Sequence, residues 1–191
     1  CGISVGTRAD CLPDEVIELL AEIKGKTDLT VELGLQTIHD KTAEIINRCY
    51  CYDEFLEGYA KLKAKGIRTC IHLIDGLPGE DKELMLSTAK EVARLHPDGV
   101  KIHLLHINKG TPLEKLYLEG KYTPMSREEY IDTVIAQLEY LPQDIVIERI
   151  TGDADKRCLV APLWSADKIA VLGGIDKEMK LRDTYQGKKA E

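Results

Sequence analysis

The sequence predicts an α/β protein with a parallel sheet that is either open or curved into part of a barrel. Strand-like and helix-like segments alternate along most of the 191 residues, and this order gives parallel strands joined by right-handed crossovers. Within each predicted strand, apolar residues alternate with polar or charged ones. A Gly-Leu-Pro-Gly turn at 76–79 follows the third predicted strand, and turns at the carboxyl ends of parallel strands are where barrels and open sheets bind ligands.

The elements follow from local signals. The expected strands are residues 2–6, 29–35, 69–75, 100–106 and 145–150. The expected helices are residues 13–24, 41–47, 53–65, 80–95, 111–120 and 126–141, with one more after Gly174. Pro13 suits the first turn of the first helix and Gly25 ends it. Ser126, followed three residues later by Glu129, is typical of a capping box. We expect residues 1–160 to form the barrel part and residues 161–191 a helical extension.

The alternation separates an apolar face, which would pack on helices, from a polar face. The polar set is Ser4, Gly6, Arg8, Glu32, Gly34, Gln36, Cys70, His72, Lys101, His103, Val146 and Glu148. A doubly wound sheet is apolar on both faces, and an ordinary packed barrel has an apolar interior. The polar face therefore indicates a lumen that holds a large polar ligand, because buried polar side chains are costly without partners. A solvent-facing half-sheet is the alternative.

Composition narrows the function classes. The net charge of −7 argues against an extended nucleic-acid surface, and Lys101, Lys109 and Lys121 near the fourth strand are too few to form a basic patch. The six cysteines show no C-x-x-C and no zinc-like spacing, so we expect no metal ligands in this chain and a reducing, cytoplasmic setting. No apolar run approaches the length of a membrane span.

Several stretches resemble the radical S-adenosylmethionine enzymes. Val-Glu-Leu-Gly-Leu-Gln-Thr (31–37), Leu-Lys-Ala-Lys-Gly-Ile-Arg (62–68) and Ile-His-Leu-Ile-Asp-Gly-Leu-Pro-Gly-Glu (71–80) are similar to the middle and late strands of that family. The stretches at 4–12 and 105–113 resemble the YhcC-type subgroup, which is related to the Elongator catalytic-subunit domain and to oxygen-independent coproporphyrinogen oxidase. The resemblance covers nearly the whole chain.

The resemblance implies a parallel sheet that forms part of an incomplete (β/α)6 TIM-like barrel, with S-adenosylmethionine bound across the mouth of the barrel. Its expected contacts are Glu32, Gln36, His72, Gly76, Gly79 and His103, with Gln36 near the ribose or methionine part. His72 matches the position of a ribose-contacting residue, and the two glycines match the turn that shapes the adenine end. Arg8 is the candidate substrate-binding residue, since a guanidinium suits a carboxylate or phosphate, although it could instead pair with Glu32. Each histidine could equally be a structural residue, and no catalytic residue is assigned.

The family's C-x-x-x-C-x-x-C motif, whose thiolates hold a [4Fe–4S] cluster, is absent from these residues. We therefore expect the chain to be the later part of a longer enzyme. That parent would make a 5′-deoxyadenosyl radical, in this subgroup for tRNA wobble-uridine modification, while the chain alone would be inactive. The open sheet edge also invites self-association. Two alternatives are a non-redox binding or scaffolding module and a cofactor-free barrel lyase with Glu32 or His103 as general base.

Overall fold

The computed structural model of the chain describes residues 1–152 and 155–190. Within these residues, seven strands and seven α-helices follow one another. The strands are β1 (Ile3–Thr7), β2 (Leu29–Gln36), β3 (Arg68–Asp75), β4 (Gly99–Leu104), β5 (Ile107–Asn108), β6 (Val146–Arg149) and β7 (Leu159–Ala161). The helices are α1 (Asp14–Lys24), α2 (Asp40–Ile45), α3 (Tyr52–Ala64), α4 (Lys82–Leu95), α5 (Pro112–Leu118), α6 (Arg127–Tyr140) and α7 (Lys168–Leu181).

The main sheet is parallel and open. Its strand order is β1-β2-β3-β4-β6, and β1 and β6 form its two edges in the described part of the chain. The predicted α/β fold with an incomplete barrel is thus confirmed. The antiparallel pair of β5 and β7 was not predicted, because strands of two and three residues are too short to show a period.

The core lies between the apolar face of the sheet and the helices. Burial along β2 alternates strictly between buried and half-buried residues, as the sequence alternation predicts. Leu33 and Ile71 from the sheet join Phe55, Leu62 and Tyr130 from the helices in one buried cluster. Because α1, α3, α4, α6 and α7 cover this face, the polar residues of the strands are left on the opposite, concave face.

The edge strand β1 departs from the predicted pattern. The alternation that puts Ser4 on the polar face puts Ile3 on the apolar face that packs on helices, yet Ile3 is 46% exposed. Its strand pairs on one side only, with β2, so less of the protein covers it than covers the central strands.

Two helix starts also differ from the prediction. The last helix begins at Lys168 rather than after Gly174, because the Asp167 carboxylate caps it by accepting from Ala170 N at 3.0 Å. A Cβ on Gly174 would lie 2.6 Å from Ile131 Cδ1, so this glycine permits close packing of α7 on α6. Helix α4 begins at Lys82 with Asp81 as its N-cap, so Glu80, the predicted first residue, lies outside the helix.

The C-terminal residues pack on the end of α6. The Gln186 side chain donates to the carbonyls of Pro142 and Ile145 at 2.6 and 2.8 Å, and Lys189 N donates to Glu139 O at 2.7 Å. The division at residue 160 stays a prediction. No helix in residues 1–152 and 155–190 is both long and apolar enough to cross a membrane.

Candidate functional site

Strand register brings the polar side chains of the concave face together. Gly34 of β2 lies opposite His72 of β3, and His72 lies opposite Lys101 of β4. His103 lies two residues further along β4, on the same face as Lys101. Side chains of parallel neighbours in register point the same way, with strands about 4.8 Å apart, so these residues form one cluster. Three of the predicted site residues, Glu32, His72 and His103, are members of it.

Glu32 is the centre of this cluster. Its Oε1 accepts from Ser4 Oγ at 2.5 Å, and its Oε2 lies 2.8 Å from His72 Nε2 and also accepts from Lys101 Nζ. Lys101 Nζ is in addition 3.5 Å from Glu148 Oε2. The hydrogen bond from Lys101, followed by that from Ser4, lowers the pKa of Glu32 to about 2. Glu32 is therefore a fixed carboxylate and a weak base at neutral pH, which removes support from a lyase that uses it as general base.

The two histidines of the cluster are neutral at pH 7. Their rings lie 5.2 Å apart between centroids with an interplanar angle of 36°. Burial lowers the pKa of His72, and it lowers that of His103 to about 4 with help from neighbouring positive charges. Among the residues the structure describes, His103 Nε2 is buried without a hydrogen-bond partner. An unpaired buried nitrogen is costly, so this position lowers the stability of the fold.

Gln36 occupies the carboxyl end of β2, where the strand leaves regular geometry. The pairing with β3 shifts register between Gly34 and Gln36, so that Gln36 lies opposite Leu73. A Cβ on Gly34 would lie only 2.4 Å from Gln36 Nε2. The Gln36 amide is thus turned back over Gly34, which is itself paired with His72.

The predicted glycine turn follows β3 and needs its glycines. Gly76 and Gly79 have φ values of 81° and 87°, a region that side chains with a Cβ rarely adopt. Gly76 is covered by its own chain, since its N–H points to Met85 Sδ at 3.3 Å and its carbonyl accepts from Tyr122 Oη at 2.6 Å. Gly79 is exposed, so of the two only its backbone is open to a ligand.

Arg8 does not pair with Glu32, which was the alternative to ligand binding. Its guanidinium binds Asp10 through two bonds, Nε to Oδ1 at 2.9 Å and Nη2 to Oδ2 at 2.6 Å. A 3-10 turn at Ala9–Cys11 brings Asp10 back toward Arg8, and Lys101 takes the place expected for Arg8 beside Glu32. Binding of substrate by Arg8 stays a prediction.

The described residues do not form a metal site. Among them, no group of three or more His, Cys, Asp or Glu side chains is arranged to hold a metal ion, so they do not fit an iron–sulfur cluster. They do fit a polar ligand such as S-adenosylmethionine, because the concave face carries the side-chain amide of Gln36 beside the half-buried rings of His72 and His103.

Two family models match the chain. The model described as Radical SAM superfamily matches residues 1–92, and the one described as Radical SAM C-terminal domain matches residues 97–181.

Curated relatives agree with these matches. The chain is 50% identical over 187 residues to YtqA of Bacillus subtilis, covering 98% of this chain and 58% of that protein. It is 36% identical over 177 residues to YhcC of Escherichia coli, covering 92% of this chain and 57% of that protein. It is 29% identical over 161 residues to the tRNA uridine(34) acetyltransferase of Methanocaldococcus jannaschii, covering 83% of this chain and 29% of that protein. The chain thus spans less than two thirds of the length of these relatives.

A solved structure shows the same fold. The archaeal Elp3 of Methanocaldococcus infernus, with an N-terminal deletion, superposes with a TM-score of 0.85 and 23% identity, covering 97% of this chain and 43% of that chain. The predicted resemblance to the Elongator-type fold is therefore confirmed.

Proposed function

Because this chain belongs to the radical SAM superfamily, with YhcC and YtqA as homologues, we propose that it supplies the concave cofactor- and substrate-facing wall of a radical enzyme. The concave face, with Gln36 at its carboxyl end, would hold S-adenosylmethionine, and this cofactor together with a [4Fe–4S] cluster would supply radical chemistry to the whole protein. The cluster ligands would lie outside the described residues, because these contain no metal-binding group.

The observation that carries the proposal is that the concave face of the sheet is polar, whereas the interior of a packed barrel is apolar. Gln36 would hold a polar group of the cofactor through its side-chain amide, and the half-buried rings of His72 and His103 would line the face beside it. Glu32, Lys101 and the neutral His72 would form a floor beneath it, in which the charge of Lys101 is paired with that of Glu32. Because burial keeps His103 neutral, its ring adds no positive charge to this face.

We propose a tRNA substrate for the whole protein. Support comes from the relatives whose name is tRNA uridine(34) acetyltransferase. The local positive charge adds no support, because Lys101 forms an ion pair with Glu32 and Lys121 forms one with Glu119. A cytoplasmic location is likewise proposed from the six free cysteines. Self-association through the exposed edge of β1 stays a prediction that light scattering on the chain at high concentration would check.

The test uses the full-length product of the gene that encodes this chain, made and purified without oxygen. We expect a brown protein with a thiolate-to-iron absorption band that releases 5′-deoxyadenosine when given S-adenosylmethionine and dithionite. The 191-residue chain, treated identically, is the matched control and should do neither. A full-length product that takes up no iron after reconstitution would overturn the proposal and favour a non-redox binding module.

The substrate is tested separately. Two tRNA transcripts that differ only in carrying uridine or cytidine at position 34 are offered to the active protein. We expect deoxyadenosine release, or label transfer to RNA, to rise only with the uridine transcript. Equal behaviour of both transcripts would leave the radical chemistry standing and refute the wobble-uridine proposal.

A further inference from the structure

The end of β2 contains a strained turn centred on Gln36. Gln36 has a φ of 61°, and Thr37 N donates to Leu35 O at 2.8 Å across it. A hydrogen bond from residue i+2 to residue i around a central residue of positive φ defines the rarer, strained form of γ-turn. Glutamine has no intrinsic preference for such a backbone, and strain of this kind persists only where the surrounding structure enforces it.

The turn decides where the Gln36 side chain points. A Cβ on Gly34 would lie 2.4 Å from Gln36 Nε2 and 3.5 Å from its Cδ, so the amide fills the space that a larger residue at position 34 would need. Gly34 pairs with His72, whose ring is tilted against that of His103 at 5.2 Å between centroids. The strained backbone therefore directs the amide back along β2, onto the concave face beside the two histidines.

Two buried side chains of the loop after α2, those of Arg48 and Tyr50, hold this turn. The Arg48 side chain is 3% exposed, and its Nη1 donates to Leu35 O at 2.9 Å and to Thr37 O at 2.5 Å. These are the carbonyls on either side of Gln36. The hydroxyl of Tyr50 donates to the carbonyl of Gly34, so three carbonyls around the turn are bound by residues 48–50.

The loop is itself fixed in place. Arg48 Nε donates to Tyr50 O at 2.9 Å, and the guanidinium lies 4.7 Å from the centroid of the Tyr50 ring. Asp40 Oδ1 lies 3.3 Å from Arg48 Nη2 and supplies the charge partner. A buried guanidinium is tolerable only with hydrogen-bond partners, and here the partners are the backbone groups that the turn exposes.

We propose that Arg48 and Tyr50 form a clamp that holds the strained turn at Gln36 and so positions the Gln36 amide on the ligand-binding face. Arg48 is a positioning residue, because its described contacts are all with its own chain. The clamp is inferred from the contacts of Arg48 and Tyr50. That the Gln36 amide contacts a ligand rests on the proposed function.

The clamp is tested by nuclear magnetic resonance on the protein. In the parent, the Gln36 side-chain amide protons should show nuclear Overhauser effects to the α-protons of Gly34. In Arg48→Lys, which keeps the charge but not the forked donors, these effects should disappear. Arg127→Lys is the matched control, since the exposed Arg127 lies at the start of α6 and pairs with Glu128, and it should keep them. Overhauser effects of parental strength in Arg48→Lys would overturn the proposal.

Tyr50→Phe carries the same test should Arg48→Lys fail to fold. This variant removes only the hydroxyl bond to the Gly34 carbonyl and keeps the ring beside Arg48. We expect the Overhauser effects between Gln36 and Gly34 to weaken relative to the parent. Unchanged effects would again overturn the clamp.

A second pair of variants tests the ligand contact. Gly34→Ala should displace the Gln36 amide with little change in stability, because the crowded atom is the far end of a flexible side chain. Gly6→Ala, on the same face with nothing within 4 Å of the added Cβ, is the control. In titrations of the full-length protein with S-adenosylmethionine, Gly34→Ala should bind about 2–10-fold more weakly than Gly6→Ala, the loss of one hydrogen bond.

The outcomes separate the two proposals. Suppose that Gly34→Ala and Gly6→Ala bind equally well while Arg48→Lys abolishes the Overhauser effects between Gln36 and Gly34. That result would keep the clamp and refute its role in binding this ligand. No binding by the parent would refute the proposed function and leave the clamp standing on the resonance data.

Discussion

The buried carboxyl of Asp75 makes a specific pH dependence of stability testable. Asp75 ends β3 and is 1% exposed, as is Gln137 of α6. Gln137 Nε2 donates to Asp75 Oδ1 at 2.7 Å, while Asp75 Oδ2 and Gln137 Oε1 have no partner among the described residues. Two unpaired acceptors on one buried pair indicate a missing proton. Burial raises the pKa of Asp75 to about 7, the bond from Gln137 opposes this, and the charge of Glu80 adds to it.

The sign follows from comparing the two states. Below about pH 4 Asp75 is protonated in both the folded and the unfolded chain, and it has no effect. Between about pH 4 and pH 7 the unfolded chain releases the proton while the folded chain keeps it, so stability falls as the pH rises. A pKa raised from 3.8 to about 7 corresponds to a total loss of about 4 kcal/mol, of which roughly 2–3 kcal/mol falls between pH 5 and pH 8.

The assay is urea unfolding of the parent and Asp75→Asn at pH 5 and pH 8. The variant keeps an acceptor for Gln137 and adds a donor, so it should be more stable than the parent at pH 8, and this advantage should shrink by about 2–3 kcal/mol at pH 5. Comparing the two proteins cancels the histidines. His72 and His103 have lowered pKa values, so they change stability with the opposite sign in both proteins alike.

Asp132→Asn is the matched control on the same helix as Gln137. Asp132 binds Lys82 and Arg182, and the bond from Lys82 lowers its pKa. The contribution of Asp132 to stability is therefore lost only at acid pH. In Asp132→Asn, the difference in the free energy of unfolding between pH 5 and pH 8 should stay as in the parent. The reasoning is refuted if Asp75→Asn shows the same dependence on pH as the parent, or if it is destabilised equally at both pH values.

Two further predictions concern packing and charge. Gly173→Ala should stabilise α7 by up to about 1 kcal/mol, since nothing lies within 4 Å of the new Cβ. Gly174→Ala should gain no stability or lose about 1–3 kcal/mol, because its new Cβ would crowd Ile131. Equal gains of the two variants in thermal denaturation would contradict the close packing of α6 and α7. Lys101→Met should raise the pKa of Glu32 from about 2 and cost about 1.5–3 kcal/mol at pH 7. That loss shrinks as the pH falls from about 4.5 toward 2, and an unchanged Glu32 carboxyl titration by carbon resonance would contradict it.

The fold could be predicted because burial and sequence period coincide in the central strands. In β2 every second residue is buried, and an eight-residue strand displays that alternation clearly. The start of α7 could not be predicted, because two adjacent glycines have low helix propensity. Their role depends on how closely α6 approaches, which only the packing of Ile131 shows.

The candidate site was predicted only as far as side chains share a face. That Glu32 and His72 face the same way follows from alternation, but the bond from Lys101 to Glu32 depends on the register of three strands. Arg48 had no signal of its own in the sequence, since an arginine in a loop is normally exposed. Gly34 in an otherwise regular strand was the available hint of a bulge or a close approach.

The concave face therefore has two levels with different chemistry. Glu32 and Lys101 lie in the middle of their strands and neutralise one another, so they offer a ligand little net charge. Gln36 lies at the carboxyl end of β2, four residues further along, and it reaches this face only through a strained turn. The strained backbone at Gln36 places a neutral amide on this face, while the charges of Glu32 and Lys101 are paired. This face therefore favours directed hydrogen bonding over charge attraction. This combination fits a cofactor held by neutral hydrogen-bonding groups better than a phosphate held by cations.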